Sequence, residues 1–303
     1  MSNKETSFDN PIFIVNPKAG KLTTHEKIKQ IKACYSKKPP EFYFPKNINE
    51  TEYLSKIAFK KNRLVIACGG DGIVNYVANQ SIKYNGTMSI LPLGRGNDFS
   101  KSIGILEPMD LKKALLKPKI LNKKYLLLSF NDTRKICLTS AGVGLLSEAA
   151  FRASKIPFLQ GGLLYGLSAI ACFANLKAYK YSITFDGNPG IQEPLMIIVA
   201  ASTPYAGGGM LIAPEAGKYK NKLNLLYAKK VSRIEAISLL KKVFPGKHLN
   251  HPKVTNMHLN NCEITTKETK FWAPLVYGDG EYLGNLPVKI NIGKKPLNLM
   301  IPG

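Results

Sequence analysis

The chain is poor in the residues that would tie it to an oxidising compartment or to a zinc site. Five cysteines (Cys34, Cys68, Cys137, Cys172 and Cys262) are scattered over 303 residues without any Cys-x-x-Cys spacing. An odd, unpatterned set excludes a disulfide framework and favours reduced thiols in a cytosol. The four histidines contain no His-Glu-x-x-His pair. His248, His251 and His258 lie among polar, loop-like residues and read as surface histidines, so zinc chemistry is disfavoured. Long apolar runs are missing too. The most apolar stretch, 156–176, is broken by Pro157, Gln160, glycines and serines, and no membrane span is expected. Residues 1–10 are polar without an apolar core, so no secretory signal is expected either.

Both standard nucleotide fingerprints are absent. No G-x-x-x-x-G-K-[ST] occurs, and Gly94-Arg95-Gly96 and Gly142-Val143-Gly144 each begin a G-x-G-x-x-G that ends on Phe99 or Ser147. P-loop and ordinary dinucleotide folds are thereby disfavoured. Acidic residues are scarce, 20 against 43 Lys and Arg, which leaves a net charge of +23. Such a field draws nucleic acid, anionic membrane or polyanionic substrate. The lysines occur as dispersed pairs (Lys37-Lys38, Lys112-Lys113, Lys123-Lys124, Lys229-Lys230, Lys241-Lys242) rather than as a tail. That distribution suits an anionic membrane surface; lysine abundant throughout the source proteome is the bland alternative. Without a helix-turn-helix, RNP aromatics or a zinc finger, no nucleic-acid partner is expected.

The first 122 residues alternate strand and helix signals. Strands are expected at 12–15, 41–44, 64–67 and 89–91. Helices are expected from a Thr23 or Thr24 cap to Cys34, over 50–61, and after Gly72 with Val74, Val77 and Ala78 on one face. This rhythm implies an α/β domain with a parallel, Rossmann-like sheet, whose ligands bind where strands end in loops. Three glycine-bearing loops follow strands and so share one sheet edge. From about residue 120 the pattern becomes short strands (125–129, 135–139, 182–185, 195–200, 223–228, 254–259, 263–266, 288–292) with helices near 145–153 and 234–244. An antiparallel β-rich second domain over 123–293 is expected, with the apolar tail 294–303 packing back onto a domain.

Gly69-Gly70-Asp71-Gly72 joins a buried strand to a helix. Glycines there let backbone N–H groups approach a phosphate, and the helix N-terminus adds favourable charge; a plain tight turn is the alternative. A carboxylate beside a phosphate cradle is repulsive unless a cation intervenes, so Asp71 points to Mg²⁺, although it can also serve as a helix cap. Asp279-Gly280-Glu281 offers two carboxylates, one able to accept a hydroxyl proton and the other to orient it. Asp279-Gly280 is equally a strong hairpin-turn dipeptide.

Asn16-Pro17-Lys18-Ala19-Gly20, Gly69-Gly70-Asp71-Gly72 with Asn75 and Asn79, and Leu91-Pro92-Leu93-Gly94-Arg95-Gly96-Asn97-Asp98-Phe99 resemble the diacylglycerol kinase catalytic domain. Tyr205-Ala206-Gly207-Gly208-Gly209-Met210 with Ala213-Pro214, and Gly278-Asp279-Gly280-Glu281, continue the resemblance in order over nearly the whole chain. The resemblance implies a bacterial lipid kinase with an N-terminal nucleotide-binding domain, a C-terminal β-sandwich and an active site in the cleft. ATP would lie against Asn16, Pro17, Lys18, Ala19 and Gly20, against Gly69, Gly70, Asp71, Gly72, Ile73 and Asn75, and against Gly94, Arg95 and Asn97. Asp71 and Asp98 would stand near the phosphates and Mg²⁺. The lipid hydroxyl would meet Asp279 and Glu281, either of which can be the base. The same resemblance implies a cytoplasmic enzyme of phospholipid metabolism, peripheral to the inner face of the membrane and bound to its anionic surface; a homodimer is left open.

Four positions depart from the family pattern. Ile73 and Arg95 replace threonines, and Pro45 stands where a nucleotide-contacting threonine is expected. Arg95 can pair with a phosphate or lie in solvent. Lys220-Asn221-Lys222-Leu223-Asn224 replaces an Asp-Gly-x-Leu-Asp loop that helps to hold a structural divalent ion. That metal is therefore expected to be missing, with the Lys220 ammonium partly in its place. Two rival functions remain, an NAD-kinase-like small-molecule kinase and a catalytically dead protein that binds membrane surfaces. Docking of the 156–176 segment through Phe158, Leu159, Leu163, Leu164 and Tyr165 is expected to compete with core packing.

Overall fold

The chain divides into two compact units, one holding the residues up to Lys123 together with Lys295–Gly303 and the other Lys124–Lys294. The computed structural model describes residues 7–155, 161–174 and 176–303, with side-chain surroundings for all but 7 and 161–165. Phe158 and Leu159, and the side chains of Leu163, Leu164 and Tyr165, lie outside the described residues.

The first unit runs β1 (Ser7–Val15), α1 (Thr24–Cys34), β2 (Glu41–Tyr43), α2 (Ile48–Lys60), β3 (Arg63–Gly69), α3 (Asp71–Tyr84), β4 (Thr87–Pro92), α4 (Asp98–Ser102), α5 (Pro108–Leu116) and β5 (Pro118–Lys123). Strands β1, β3 and β4 are near-continuous apolar runs, and Phe13, Ile14, Leu64, Ile66, Met88 and Leu91 are wholly buried. Strands covered by helices on both faces have that composition. Helix α1 opens on a capping box between Thr23 and Glu26, and α3 buries Val74, Val77 and Ala78 as their spacing requires. The order β2-β1-β3-β4 is parallel throughout. Val15 pairs with Cys68, and Gly69 with Pro92. Level strand ends follow from that register, so the three loops leave the sheet side by side.

The second unit contains β6 (Leu126–Ser129), β7 (Arg134–Cys137), β8 (Ser140–Gly144), α6 (Leu145–Ser154), α7 (Gly161–Phe173), β9 (Tyr179–Phe185), β10 (Asn188–Ala201), β11 (Leu223–Lys229), α8 (Arg233–Val243), a 3-10 turn at Lys247–Asn250, β12 (Val254–Leu259), β13 (Asn261–Thr266), β14 (Leu275–Gly278), β15 (Glu281–Asn285) and β16 (Val288–Ile292). Its strands pair antiparallel in one eleven-stranded, sandwich-like sheet. Alternate residues of these strands, among them Tyr181, Ile183, Ile198, Leu225, Ile264, Val276 and Ile290, form a single core. The chain then returns to the first sheet. Strand β17 (Leu297–Pro302) lies between β4, which it pairs in parallel, and β5, which it pairs antiparallel. Leu297, Leu299 and Met300 are wholly buried there, and Ser89 Oγ donates to the Met300 carbonyl at 2.8 Å.

The α/β and antiparallel β architecture expected from the sequence is the one found. The histidine reading needs correction. His248 is buried, with Nε2 2.9 Å from the Ile212 carbonyl oxygen. His258 lies within β12, and His251 is half-buried. All five cysteines are free and buried. Among the described residues no three His, Cys, Asp or Glu side chains gather in a metal-binding group, and no helix is long and apolar enough to cross a membrane.

Candidate active site

At the edge of the first sheet, two glycines lie back to back. A Cβ added to Gly94 would sit 2.2 Å from the Gly70 Cα, so the loop after β3 and the loop after β4 touch backbone to backbone. Gly20, in a left-handed conformation with φ +64°, presses equally close to the third partner: a Cβ there would be 2.2 Å from the Leu93 carbonyl oxygen. Only glycine satisfies both demands. Asn16 fixes the start of its loop by donating from N to the Cys68 carbonyl at 2.9 Å and accepting at Oδ1 from the Lys18 N–H at 2.9 Å. Asn97, itself left-handed at φ 55°, accepts from the Gly94 N–H at 3.0 Å. The result is a rigid, glycine-walled edge at the N-terminus of α3, a geometry suited to phosphate oxygens.

Lys27 reinforces this edge, and its role was not foreseen from sequence. The side chain is buried, and its ammonium donates to the carbonyls of Asn16 at 3.2 Å and Pro17 at 2.6 Å. Burial pulls its pKa down from the usual lysine value. The signal was available: Lys27, Ile31 and Cys34 form the buried stripe of α1, and a lysine on an apolar stripe needs a reason. Lys27→Met is expected to cost about 1–3 kcal/mol of stability, because hydrogen bonds to a charged donor are lost. It should also weaken nucleotide binding by loosening 16–20; thermal melts and a nucleotide titration check both effects.

Asp71 is not the cap of α3. Gly70 occupies that place without a side-chain bond, and Asp71 Oδ1 instead accepts from the Phe99 N–H at 3.3 Å. Its carboxylate therefore spans to the first turn of α4, beside the buried Asp98. Asn75 accepts at Oδ1 from Asn79 at 2.8 Å, one turn along α3. Ile73 is buried against Gly69, so it serves the core. Lys18 and Arg95 are exposed beside the loops; Pro45 is half-buried at the end of β2.

In the second unit, Asp279 (φ 50°) and Gly280 (φ 80°) make the two-residue turn between β14 and β15, as their type I′ preference dictates. The Asp279 carboxylate is heavily engaged. Oδ2 accepts from the Leu138 N–H at 2.7 Å. Oδ1 accepts from the Thr139 N–H at 2.9 Å, the Thr139 hydroxyl at 2.6 Å and the Cys137 thiol at 3.2 Å. Burial first, and the neighbouring charge of Asp279 second, push the Cys137 thiol well up, which keeps its proton on sulfur. Glu281, the first residue of β15, is exposed. In the same unit Gly207, Gly208 and Gly209 all have positive φ, in a loop closed by an Ala206–Met210 bridge.

At 220–224, Lys220 is exposed. The buried Asn224 donates from Nδ2 to Asn256 Oδ1 at 2.6 Å, and Asn256 Nδ2 donates to Glu215 Oε2 at 2.8 Å, while Asn224 Oδ1 is a buried oxygen without a hydrogen-bond partner among the described residues. An amide chain thus ties β11 and β12 to the preceding loop.

A parallel sheet ending in a glycine-walled edge, followed by an antiparallel sandwich bearing an acidic hairpin, is the fold shared by diacylglycerol kinases and NAD kinases. Residues 10–124 match the diacylglycerol kinase catalytic domain, and 139–301 match the YegS C-terminal NAD kinase beta sandwich-like domain. The chain belongs to the diacylglycerol kinase family. It is 27% identical over 241 residues to a diacylglycerol kinase of Bacillus subtilis, covering 78% of this chain and 77% of that protein. With a Staphylococcus aureus diacylglycerol kinase the identity is 25% over 298 residues, covering 95% and 91%. A solved diacylglycerol kinase from Bacillus anthracis superposes with a TM-score of 0.72 at 19% identity over 98% of each chain. An NAD kinase from Archaeoglobus fulgidus, solved with ATP, reaches 0.51 at 14% identity over 95% and 92%. Both structures share the fold.

Proposed function

We propose that the protein is an ATP-dependent lipid kinase that transfers the γ-phosphoryl group to a hydroxyl of a membrane lipid such as diacylglycerol, at the cytoplasmic face of the membrane. The back-to-back contact of Gly70 and Gly94 carries this reading, because it brings two strand-end loops together with no side chain in the way of a phosphate. The backbone of 16–20, 69–75 and 94–97 would hold the nucleotide, with Lys18 and Arg95 supplying positive charge at its rim. Asp71 and Asp98 fit Mg²⁺, which commonly takes one or two carboxylates plus phosphate oxygens. When bound, that ion would neutralise phosphate charge during transfer.

The two acidic residues of the hairpin divide their work. Asp279 accepts from the Leu138 and Thr139 N–H groups and from the Thr139 hydroxyl, which pins its carboxylate to the 138–139 segment. Its task is to hold the turn. Glu281, exposed at the start of β15, is the group suited to accept the hydroxyl proton.

The test is transfer of labelled phosphate from ATP with Mg²⁺ into mixed micelles of diacylglycerol, phosphatidylglycerol, a sphingoid base or ceramide, with NAD as a further acceptor. A labelled lipid, reduced about 10²–10³-fold in Asp71→Asn, is the expected result. Labelled NAD with no labelled lipid would instead make the protein a small-molecule kinase.

A further inference from the structure

Helices α7 and α8 of the second unit carry apolar side chains on their solvent faces as well as on their core faces. On α7 and the residue after it, Leu167, Ile170, Ala171 and Ala174 are exposed. Their spacing of three and four residues places them in one stripe. On α8 and its C-cap, Ile234, Ile237 and Phe244 are exposed, Ile234 to 83%. The opposite faces of both helices, through Ala169, Phe173, Ala236 and Leu239, pack into one shared cluster with Met196 and Ala228. Both stripes therefore point away from the same sheet. Arg233 joins the helices by donating from its guanidinium to the Ala174 carbonyl at 2.7 Å.

We propose that this paired helix face is where the second unit docks on an anionic lipid bilayer, a proposal that rests on the reading of the substrate as a membrane lipid. The charge pattern selects the occupant. Helix α7 has no charged residue. Around α8, Lys230, Arg233, Lys241, Lys242 and Lys247 are exposed. The one acidic residue of α8, Glu235, is committed to the Ser232 cap and to Lys253 at 3.2 Å. A second copy of the chain would pair this patch with itself across a two-fold axis and set lysine against lysine. A bilayer offers both an apolar layer for the isoleucines and phenylalanine and a diffuse negative surface for the cations.

The test is co-sedimentation of the full chain with vesicles of phosphatidylcholine alone and of phosphatidylcholine with phosphatidylglycerol, a readout independent of catalysis. Wild type should bind the mixed vesicles. Ile234→Glu/Ile237→Glu and Lys241→Glu/Lys242→Glu should each weaken binding about tenfold or more. Lys37→Glu/Lys38→Glu, in the first unit with the same change in net charge as Lys241→Glu/Lys242→Glu, should bind as wild type. The altered residues are exposed, and unchanged melting curves together with unchanged phosphorylation of a monomeric short-chain acceptor would certify both helix variants. Wild type that ignores anionic vesicles, helix variants that bind like wild type, or equal loss in the control would each overturn the proposal. So would a wild-type dimer that Ile234→Glu/Ile237→Glu makes monomeric without loss of vesicle binding, since the face would then join copies of the chain. A missing kinase activity alongside the expected binding pattern would count against the lipid-kinase reading and leave the docking face standing.

Discussion

Glu281→Gln is expected to slow phosphoryl transfer by about 10²–10⁴-fold, the usual worth of a positioned general base. Its KM for ATP and its melting temperature should stay at the wild-type values, because an exposed side chain at a strand start supports little of the fold. Asp279→Asn is expected to fail differently. An asparagine tolerates the left-handed turn conformation, but its amide turns a donor toward groups that already donate. One or more N–H groups at Leu138 and Thr139 would lose their acceptor, at about 1–3 kcal/mol for a buried group. The Asp279 variant should therefore melt lower and lose activity through displacement of the 137–140 segment. Single-turnover rates beside melting curves separate the two. Equal loss of stability in both variants, or full activity in Glu281→Gln, would reassign the base.

Gly94→Ala is expected to abolish nucleotide binding. One methyl group would have to occupy a point 2.2 Å from the Gly70 Cα, and a backbone neighbour cannot swing aside as a flexible side chain can. The loops after β3 and β4 would separate, costing about 1–3 kcal/mol as overpacking does elsewhere and dismantling the phosphate edge. Calorimetric titration with a non-hydrolysable ATP analogue reads the binding, and a thermal melt shows that the rest of the unit persists. Wild-type affinity in this variant would remove the observation on which the proposed function stands.

The sequence displayed the first sheet clearly because its strands are buried on both faces, and that burial leaves unbroken apolar runs such as Leu64-Val65-Ile66-Ala67-Cys68. It hid other strands for the opposite reason. Strand β5, Pro-Lys-Ile-Leu-Asn-Lys, is a sheet edge with mostly exposed side chains, so selection for apolar alternation is weak there. Strand β8, Ser-Ala-Gly-Val-Gly, is wholly buried but built of small residues. A Cβ on Gly142 would lie 2.0 Å from the Ile198 carbonyl oxygen, so close strand packing demands glycine there and leaves Val143 as the one β-branched residue of the kind by which strands are usually recognised.

Site residues followed the same division. Loops that need glycine announced themselves, because backbone approach leaves a chemical trace in the sequence. Lys27 gave only its place on the Ile31 and Cys34 stripe, against the ordinary expectation that a helical lysine faces solvent, and the backbone donors of 137–139 carry no side-chain signature. The Asp-Gly-Glu hairpin was legible as both turn and acid pair. The donors that hold Asp279 were not legible, because they come from residues about 140 positions away in sequence.

The place of β17 sets an order on biosynthesis. Residues that fill the gap between β4 and β5 are translated only after the whole of Lys124–Lys294. At about 5–20 residues per second, roughly 10 to 35 s pass on the ribosome between completion of β5 and arrival of β17. During that interval β4 and β5 both offer unpaired backbone edges, β4 from the middle of the future sheet. The second unit can close its own sheet first, because all of its strands are contiguous in sequence. The first unit, although its synthesis starts first, is thus the last to be completed, and a nascent chain stalled before Leu297 would present an open hydrophobic seam to chaperones.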